Sequence, residues 1–156
     1  MRTEEILRAA RAQGVMIATA ESCTGGMVAA ALTDIPGSSD VVERGFVTYS
    51  NKAKIEMLGV SPDTLAAYGA VSEVVAGEMA DGALAHSAAQ LAVSVTGIAG
   101  PGGSDHKPEG RVCFGLAMRG RATQTETQDY GAQGRAMVRG LARDHALTLL
   151  LDALTR

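Results

Sequence analysis

Tryptophan is absent and aromatic residues make up only 3% of the 156-residue chain. The core must therefore be built from Ala, Val, Leu, Ile and Met. The two cysteines, Cys23 and Cys113, form no CxxC pair and no disulfide framework, which fits a reducing compartment and predicts a cytoplasmic protein. Three histidines, His86, His106 and His145, are scattered without ligand spacing, so no metal site is expected. No apolar run approaches the roughly 20 residues that span a bilayer, and no membrane partner is expected. The opening Met-Arg-Thr-Glu-Glu reads neither as a signal nor as a transit peptide. A net charge of -3, without a basic stripe interleaved with aromatics, argues against nucleic acid as a partner.

Lysine is scarce too. Eleven arginines stand against three lysines, Lys52, Lys54 and Lys107. A chain that uses Arg wherever any cation serves draws attention to its few lysines, because Lys can lose its proton at an attainable pKa and Arg effectively cannot. Chance and solubility would explain such a count as well.

What is present is globular: 46% hydrophobic and 20% charged residues over the length of one domain, 1–156. Thr3 is placed to cap a first helix over 4–13, ended by Gly14. A strand over 15–19 leads to the turn 19–26, Thr-Ala-Glu-Ser-Cys-Thr-Gly-Gly, and a helix over 24–33 follows. A helical turn is expected at 41–43 and a strand at 46–49. Helices follow over 51–58, from Ser61-Pro62, and over 73–87 with Ser72 as its cap. A buried strand over 91–96, a Gly/Pro loop over 97–109, a hairpin of 111–119 with 121–127, and a last helix over 132–154 complete the chain. Helices alternating with strands, plus one late antiparallel hairpin, predict an α/β fold: a three-layer α-β-α sandwich with a mixed, mostly parallel sheet.

Three loops rich in glycine and hydroxyls, 21–26, 36–39 and 96–104, are candidates for chemistry. The turn between strand and helix at 21–26 brings free backbone N–H groups and a positive helix end to one spot, suited to a phosphate or an oxyanion. It also offers Ser22, Cys23 and Thr24 as nucleophiles, although a plain N-cap with packing glycines has the same composition. The loop from Thr96 to Gly103 has neither a Walker A nor a G-x-G-x-x-G pattern, which disfavours nucleoside triphosphates and dinucleotides. Tyr49 and Lys54 near a serine would make a Ser–Lys hydrolase possible, provided the lysine is neutral. Arg135 and Arg139, four apart on the last helix, could clamp a phosphate or simply face water.

Taken in order and spacing, these segments resemble one family. Thr19 to Gly26, Gly37-Ser38-Ser39, Gly45 to Asn51 with Lys54, Leu58-Gly59-Val60, Gly69 to Ser72, Thr96 to Gly103 and Lys107-Pro108 are similar to the C-terminal domain of the CinA (competence/damage-inducible) proteins. Stand-alone members of that family are PncC-type nicotinamide-nucleotide amidases. The resemblance runs from about residue 4 to 152, and the larger N-terminal domain of CinA proteins has no counterpart here. It implies hydrolysis of nicotinamide mononucleotide to nicotinate mononucleotide and ammonia, in pyridine-nucleotide recycling, with no cofactor and no metal, by a homo-oligomer.

Carried onto this sequence, the resemblance assigns Lys54 as the base and Tyr49 as its aid. Ser22 or Ser39 is the nucleophile, Ser22 being preferred because its turn supplies an oxyanion hole. Glu21, Thr24, Gly25, Gly26, Thr96, Gly97, Gly100 and Arg135 are the expected substrate-binding set. Two departures are small: Lys52 stands where an acidic residue is common, and Thr96 where some members have Ser. Two other readings share the same loops. One is a non-catalytic nucleotide-binding or partner-binding module linked to competence or DNA damage. The other is a hydrolase of a different small amide.

Overall fold

The computed structural model describes residues 2–104 and 106–156. Its elements are α1 (Arg2–Gln13), β1 (Ile17–Glu21), α2 (Met27–Thr33), a 3-10 turn (Ser38–Asp40), β2 (Val42–Val47), α3 (Asn51–Leu58), α4 (Pro62–Tyr68), α5 (Glu73–Ala85), β3 (Leu91–Gly97), β4 (Arg111–Met118), β5 (Gln124–Asp129) and α6 (Arg135–Thr155). The strands form one sheet in the order β2-β1-β3-β4-β5. β1 pairs in parallel with β2 and β3, while β4 is antiparallel to both β3 and β5. Four strands thus share a direction and β4 alone opposes them, which is the mixed, mostly parallel sheet with a late hairpin that the sequence predicts. Among the described residues no helix is long and apolar enough to cross a membrane.

Period-2 alternation divides the sheet between two helical layers. Ile17, Leu91, Val93, Val95, Val112 and Phe114 point to α1, α2 and α6, and pack with Ile6, Leu32, Val138 and Leu150. Ala18, Ala20, Phe46 and Ala92 point to α3, α4 and α5, and pack with Leu58, Leu65, Val75 and Met79. Residues on the second face are small, so α5 lies close to the sheet. A Cβ at Gly115 would come within 2.4 Å of the Ala76 carbonyl oxygen, and one at Gly82 within 2.0 Å of that of Leu58. Neither position admits a side chain without moving backbone.

Several boundaries differ from the sequence reading. Thr3 lies inside α1, buried, and does not cap it. β1 starts two residues later because Val15 still donates to Ala10 of the preceding helix. The region 41–43 is not helical: the 3-10 turn precedes it and β2 already runs from Val42. Glu43 and Arg44 disguise this edge strand. They pair with each other, while Glu43 also accepts from Ala88 N–H and Arg44 donates to the His86 carbonyl. α2 is shorter than expected, because Gly25 and Gly26 both have positive φ. The hairpin partner and the last helix are shifted to 124–129 and 135–155.

The topology fixes where the three glycine loops go. Turn 22–26 follows β1 and the loop after Gly97 follows β3, so both lie at the carboxyl edge of the parallel strands, where open α/β sheets bind ligands. The chain then returns through α2, so 34–41 lies at the opposite edge. There Arg11 holds the Asp40 carboxylate and the Gly37 carbonyl.

Candidate active site

The turn after β1 is built by its own hydrogen bonds. Ser22 N–H donates to Val95 of the neighbouring strand at 2.9 Å, Gly25 N–H to the Ser22 carbonyl at 3.0 Å, and Met27 N–H to that of Thr24 at 3.1 Å. Glu21, only 1% exposed, turns its carboxylate under the start of α2. It accepts from the Thr24 hydroxyl at 2.6 Å, Val28 N–H at 2.9 Å and Ala29 N–H at 3.1 Å. The helix end expected to receive a substrate anion is thus already neutralised by the protein's own carboxylate. The peptide N–H groups of Cys23 and Thr24 have no backbone acceptor among the described residues, and that of Cys23 faces its own thiol.

Lys54 comes from α3, whose first turn is capped by Ser50: its hydroxyl accepts from Ala53 N–H at 3.0 Å. One helical turn on, the Lys54 side chain runs inward and is 1% exposed. Its Nζ lies 3.1 Å from Ser22 Oγ and 2.9 Å from the Thr48 carbonyl oxygen. Thr48 N–H in turn donates to the Glu21 carbonyl at 2.8 Å, so the ends of β1 and β2 are joined just where the two side chains meet. No carboxylate pairs with Lys54 among the described residues.

Burial without a counter-ion disfavours the ammonium and pulls the Lys54 pKa below its ordinary 10.5. The adjacent Cys23 would oppose that shift only if ionised. Its own thiol is pushed up to about 12, first by burial and then by the charge of Glu21, partly countered by its own backbone N–H, Arg139 and Lys54. Cys23 therefore stays protonated near neutrality and is a poor nucleophile. The pair suited to chemistry is a serine hydroxyl facing an amine whose charged form burial disfavours.

Above this pair opens a cleft of about 340 Å³. Ser22, Tyr49, Lys54, Thr96, Gly97, Gly100 and Arg135 all line it. Arg135, at the first position of α6, donates to the Gly100 carbonyl at 2.9 Å and to Tyr49 Oη at 2.7 Å. Tyr49 is 61% exposed at the rim, and its hydroxyl is engaged with Arg135, not with Lys54. The Thr96 hydroxyl donates to the Ala70 carbonyl at 2.9 Å, tying the end of β3 to the segment before α5. Lys107 donates to the Tyr68 and Val71 carbonyls and fastens the long loop to the same segment.

Other expected residues are not brought to the cleft. Ser39 is exposed in the 3-10 turn, at the far edge of the sheet from Lys54, because a whole helix returns between Ser22 and Ser39. Glu21 and Thr24 turn inward and bond to each other. Gly25 and Gly26 shape the turn behind Cys23 and are absent from the cleft lining. Arg139 does not share an anion with Arg135: it grips the turn itself, through the Cys23 carbonyl at 2.9 Å and that of Thr24 at 3.4 Å. Conversely, Asn51, Ser104 and the Ala70-Val71 segment line the cleft without having been assigned a role from the sequence. Each falls within a stretch that the sequence does mark: Gly45 to Asn51, the loop 96–104 and Gly69 to Ser72.

The chain is similar to known proteins of one family. The sequence matches the CinA C-terminal domain over residues 2–154. It is 50% identical over 149 residues to the nicotinamide-nucleotide amidohydrolase PncC of Escherichia coli, covering 95% of this chain and 90% of that protein. It is 56% identical over 125 residues to a CinA-like protein of Chlorobium phaeobacteroides, covering 78% of this chain but 30% of that protein. The chain thus spans about a third of the length of the CinA-like relatives it matches. Among solved structures, the competence/damage inducible protein CihA from Agrobacterium tumefaciens superposes with a TM-score of 0.91 at 48% identity, over 100% of this chain and 97% of that one. The competence damage-inducible protein A from Klebsiella pneumoniae gives 0.94 at 40% identity, over 99% and 96%. With this coverage and identity, the chain belongs to the CinA C-terminal domain family.

Proposed function

We propose that the chain hydrolyses the carboxamide of nicotinamide mononucleotide to nicotinate mononucleotide and ammonia, as a Ser–Lys amidohydrolase of pyridine-nucleotide recycling. The observation that carries this reading is the contact between Lys54 Nζ and Ser22 Oγ, inside a cleft and without a carboxylate partner. Its support from outside the chain is the name of relatives that match over nearly their whole length.

The chemistry balances as follows. Neutral Lys54 accepts the Ser22 proton while Oγ bonds to the carboxamide carbon and the carbonyl electron pair moves to oxygen. The N–H groups of Cys23 and Thr24, which no backbone carbonyl engages, are the donors offered to that oxyanion. As the C–N bond breaks, the Lys54 ammonium returns the proton to nitrogen and ammonia leaves. Water then loses a proton to Lys54 and adds to the ester carbon, and Ser22 departs with the proton. One water is consumed and one ammonia released.

Glu21 occupies the start of α2, so the phosphate needs another cation. Arg135 is the cationic side chain other than Lys54 that lines the cleft among the described residues. Its guanidinium, braced by Gly100 and Tyr49, suits a phosphate at the rim. Thr96 and Gly97 form the cleft wall on the β3 side. A Cβ at Gly97 would meet Val112 Cγ2 at 2.7 Å and Cys23 Sγ at 3.1 Å, so glycine here lets β3 pack closely against β4 and the turn that carries Ser22.

A purely nucleotide-binding module has no use for a buried amine held against a serine, which favours the catalytic reading. Mass spectrometry of the protein quenched during turnover tests it. A nicotinate mononucleotidyl adduct on Ser22 is the expected result. Turnover with no adduct on Ser22, under conditions that slow deacylation, would remove Ser22 as the nucleophile.

A further inference from the structure

Arg139 is a half-buried guanidinium with no carboxylate partner among the described residues. Its hydrogen bonds there go to the carbonyls of Cys23 and Thr24, on the turn that carries Ser22. The turn is shaped to receive it: Gly25 has φ +60°, and a Cβ there would stand 3.2 Å from Arg139 Nη2. Arg139 does not line the cleft, in contrast with Arg135 one helical turn earlier.

A trans peptide sets its N–H opposite its C=O. Holding the Cys23 carbonyl toward α6 therefore sends the Thr24 N–H the other way. The Ser22 carbonyl is likewise fixed by Gly25 N–H, which orients the Cys23 N–H. These are the two N–H groups of the turn without a backbone acceptor. A cation on the carbonyl side of the Cys23–Thr24 peptide also polarises it and strengthens its N–H as a donor.

We infer that Arg139 is a positioning residue: by gripping the Cys23 carbonyl it aims the Thr24 N–H at the oxyanion that forms on Ser22. By gripping the Thr24 carbonyl it steadies the Gly25 N–H that fixes the Ser22 carbonyl, and with it the Cys23 N–H. This rests on the Ser22–Lys54 reading above. Since Arg139 acts on the transition state and not on substrate recognition, its loss must appear in kcat and leave KM nearly unchanged.

The test uses Arg139→Ala and Arg139→Lys beside the wild type, in two assays. One is turnover of nicotinamide mononucleotide. The other is acylation of Ser22 by p-nitrophenyl acetate, which is too small to use the nucleotide contacts, followed by mass spectrometry and nitrophenolate release. Arg139→Ala is expected to lower kcat roughly 30-fold or more, with KM within about threefold, and to slow acylation by a similar factor. Arg139→Lys, which keeps the charge but not the fork, falls between. If Arg139→Ala does not fold, Arg139→Lys alone carries the test, and an unchanged kcat and acylation rate in a folded Arg139→Lys overturns the inference. A rise in KM with kcat intact, or lost thermal stability with both rates intact, also overturns it. If the wild type is acylated at Ser22 in an Arg139-dependent way but leaves nicotinamide mononucleotide untouched, the inference stands and the substrate assignment falls. If the wild type neither turns over nor acylates, both fall.

Discussion

Lys54 Nζ lies 3.1 Å from Ser22 Oγ, and the only other hydrogen-bond partner of that buried amine among the described residues is the Thr48 carbonyl. A lysine placed for stability would have a carboxylate or reach water. This one has no carboxylate among the described residues and is only 1% exposed, at the floor of the cleft, so the fold bears the cost of an amine that is useful only when neutral.

Replacing Lys54 with Arg keeps a cation but removes any group that can take the Ser22 proton near neutrality. Lys54→Arg is expected to lower kcat/KM at least about 100-fold. Steady-state ammonia release checks it, with circular dichroism confirming the fold.

The depressed Lys54 pKa also makes stability depend on pH. Between its folded and unfolded pKa values the unfolded chain binds the extra proton, so stability rises with pH through that interval. Its contribution is complete above the ordinary 10.5 and is lost as pH falls through the lower folded value. Lys54→Met is expected to remove this slope. Urea unfolding across the alkaline range reads it: the advantage of Lys54→Met over wild type should shrink as pH rises, and a parallel pair of curves would contradict the assignment. The acidic limb of kcat/KM should report the same ionisation, below 10.5.

Glu21 holds three donors with one buried carboxylate. Glu21→Ala leaves Val28 N–H, Ala29 N–H and the Thr24 hydroxyl unpaired, and is expected to cost about 2–4 kcal/mol in chemical denaturation. It should lower activity through the turn, with no selective loss of affinity for the nucleotide phosphate.

Helix α5 approaches the sheet through glycine, so Gly115→Ala is expected to destabilise the fold by about 1–3 kcal/mol. The substrate KM of the folded fraction should be unchanged, because Gly115 lies on the α5 side of β4, away from the cleft lining. Thermal unfolding and KM measured together check both halves.

Elements with local chemistry were legible in the sequence. Ser61 with Pro62, and Ser72, cap α4 and α5 where expected, because each cap is a contact within three residues. Ser50 caps α3 in the same way, although the sequence reading there gives only the helix over 51–58. Ser22 and Lys54, and their pairing as nucleophile and base, were legible through motif resemblance; local spacing alone left the pairing open, since it spans 32 residues and depends on the order of β1 and β2. Ser39 looked equivalent to Ser22 in composition, and only the return of the chain through α2 separates them. The family resemblance places Glu21 in the substrate-binding set. In the fold it reaches seven and eight residues ahead, to Val28 and Ala29. The pairing of Arg135 with Arg139 failed for a similar reason: one helix face meets both the cleft rim and the back of the turn.

The most direct measurement is ammonia release from nicotinamide mononucleotide by the purified protein in the presence of a chelator, beside Ser22→Ala, Ser39→Ala and Lys54→Arg. The account predicts release by the wild type and by Ser39→Ala, and its collapse in Ser22→Ala and Lys54→Arg. No release from a folded wild type, or undiminished release from Ser22→Ala, would contradict it.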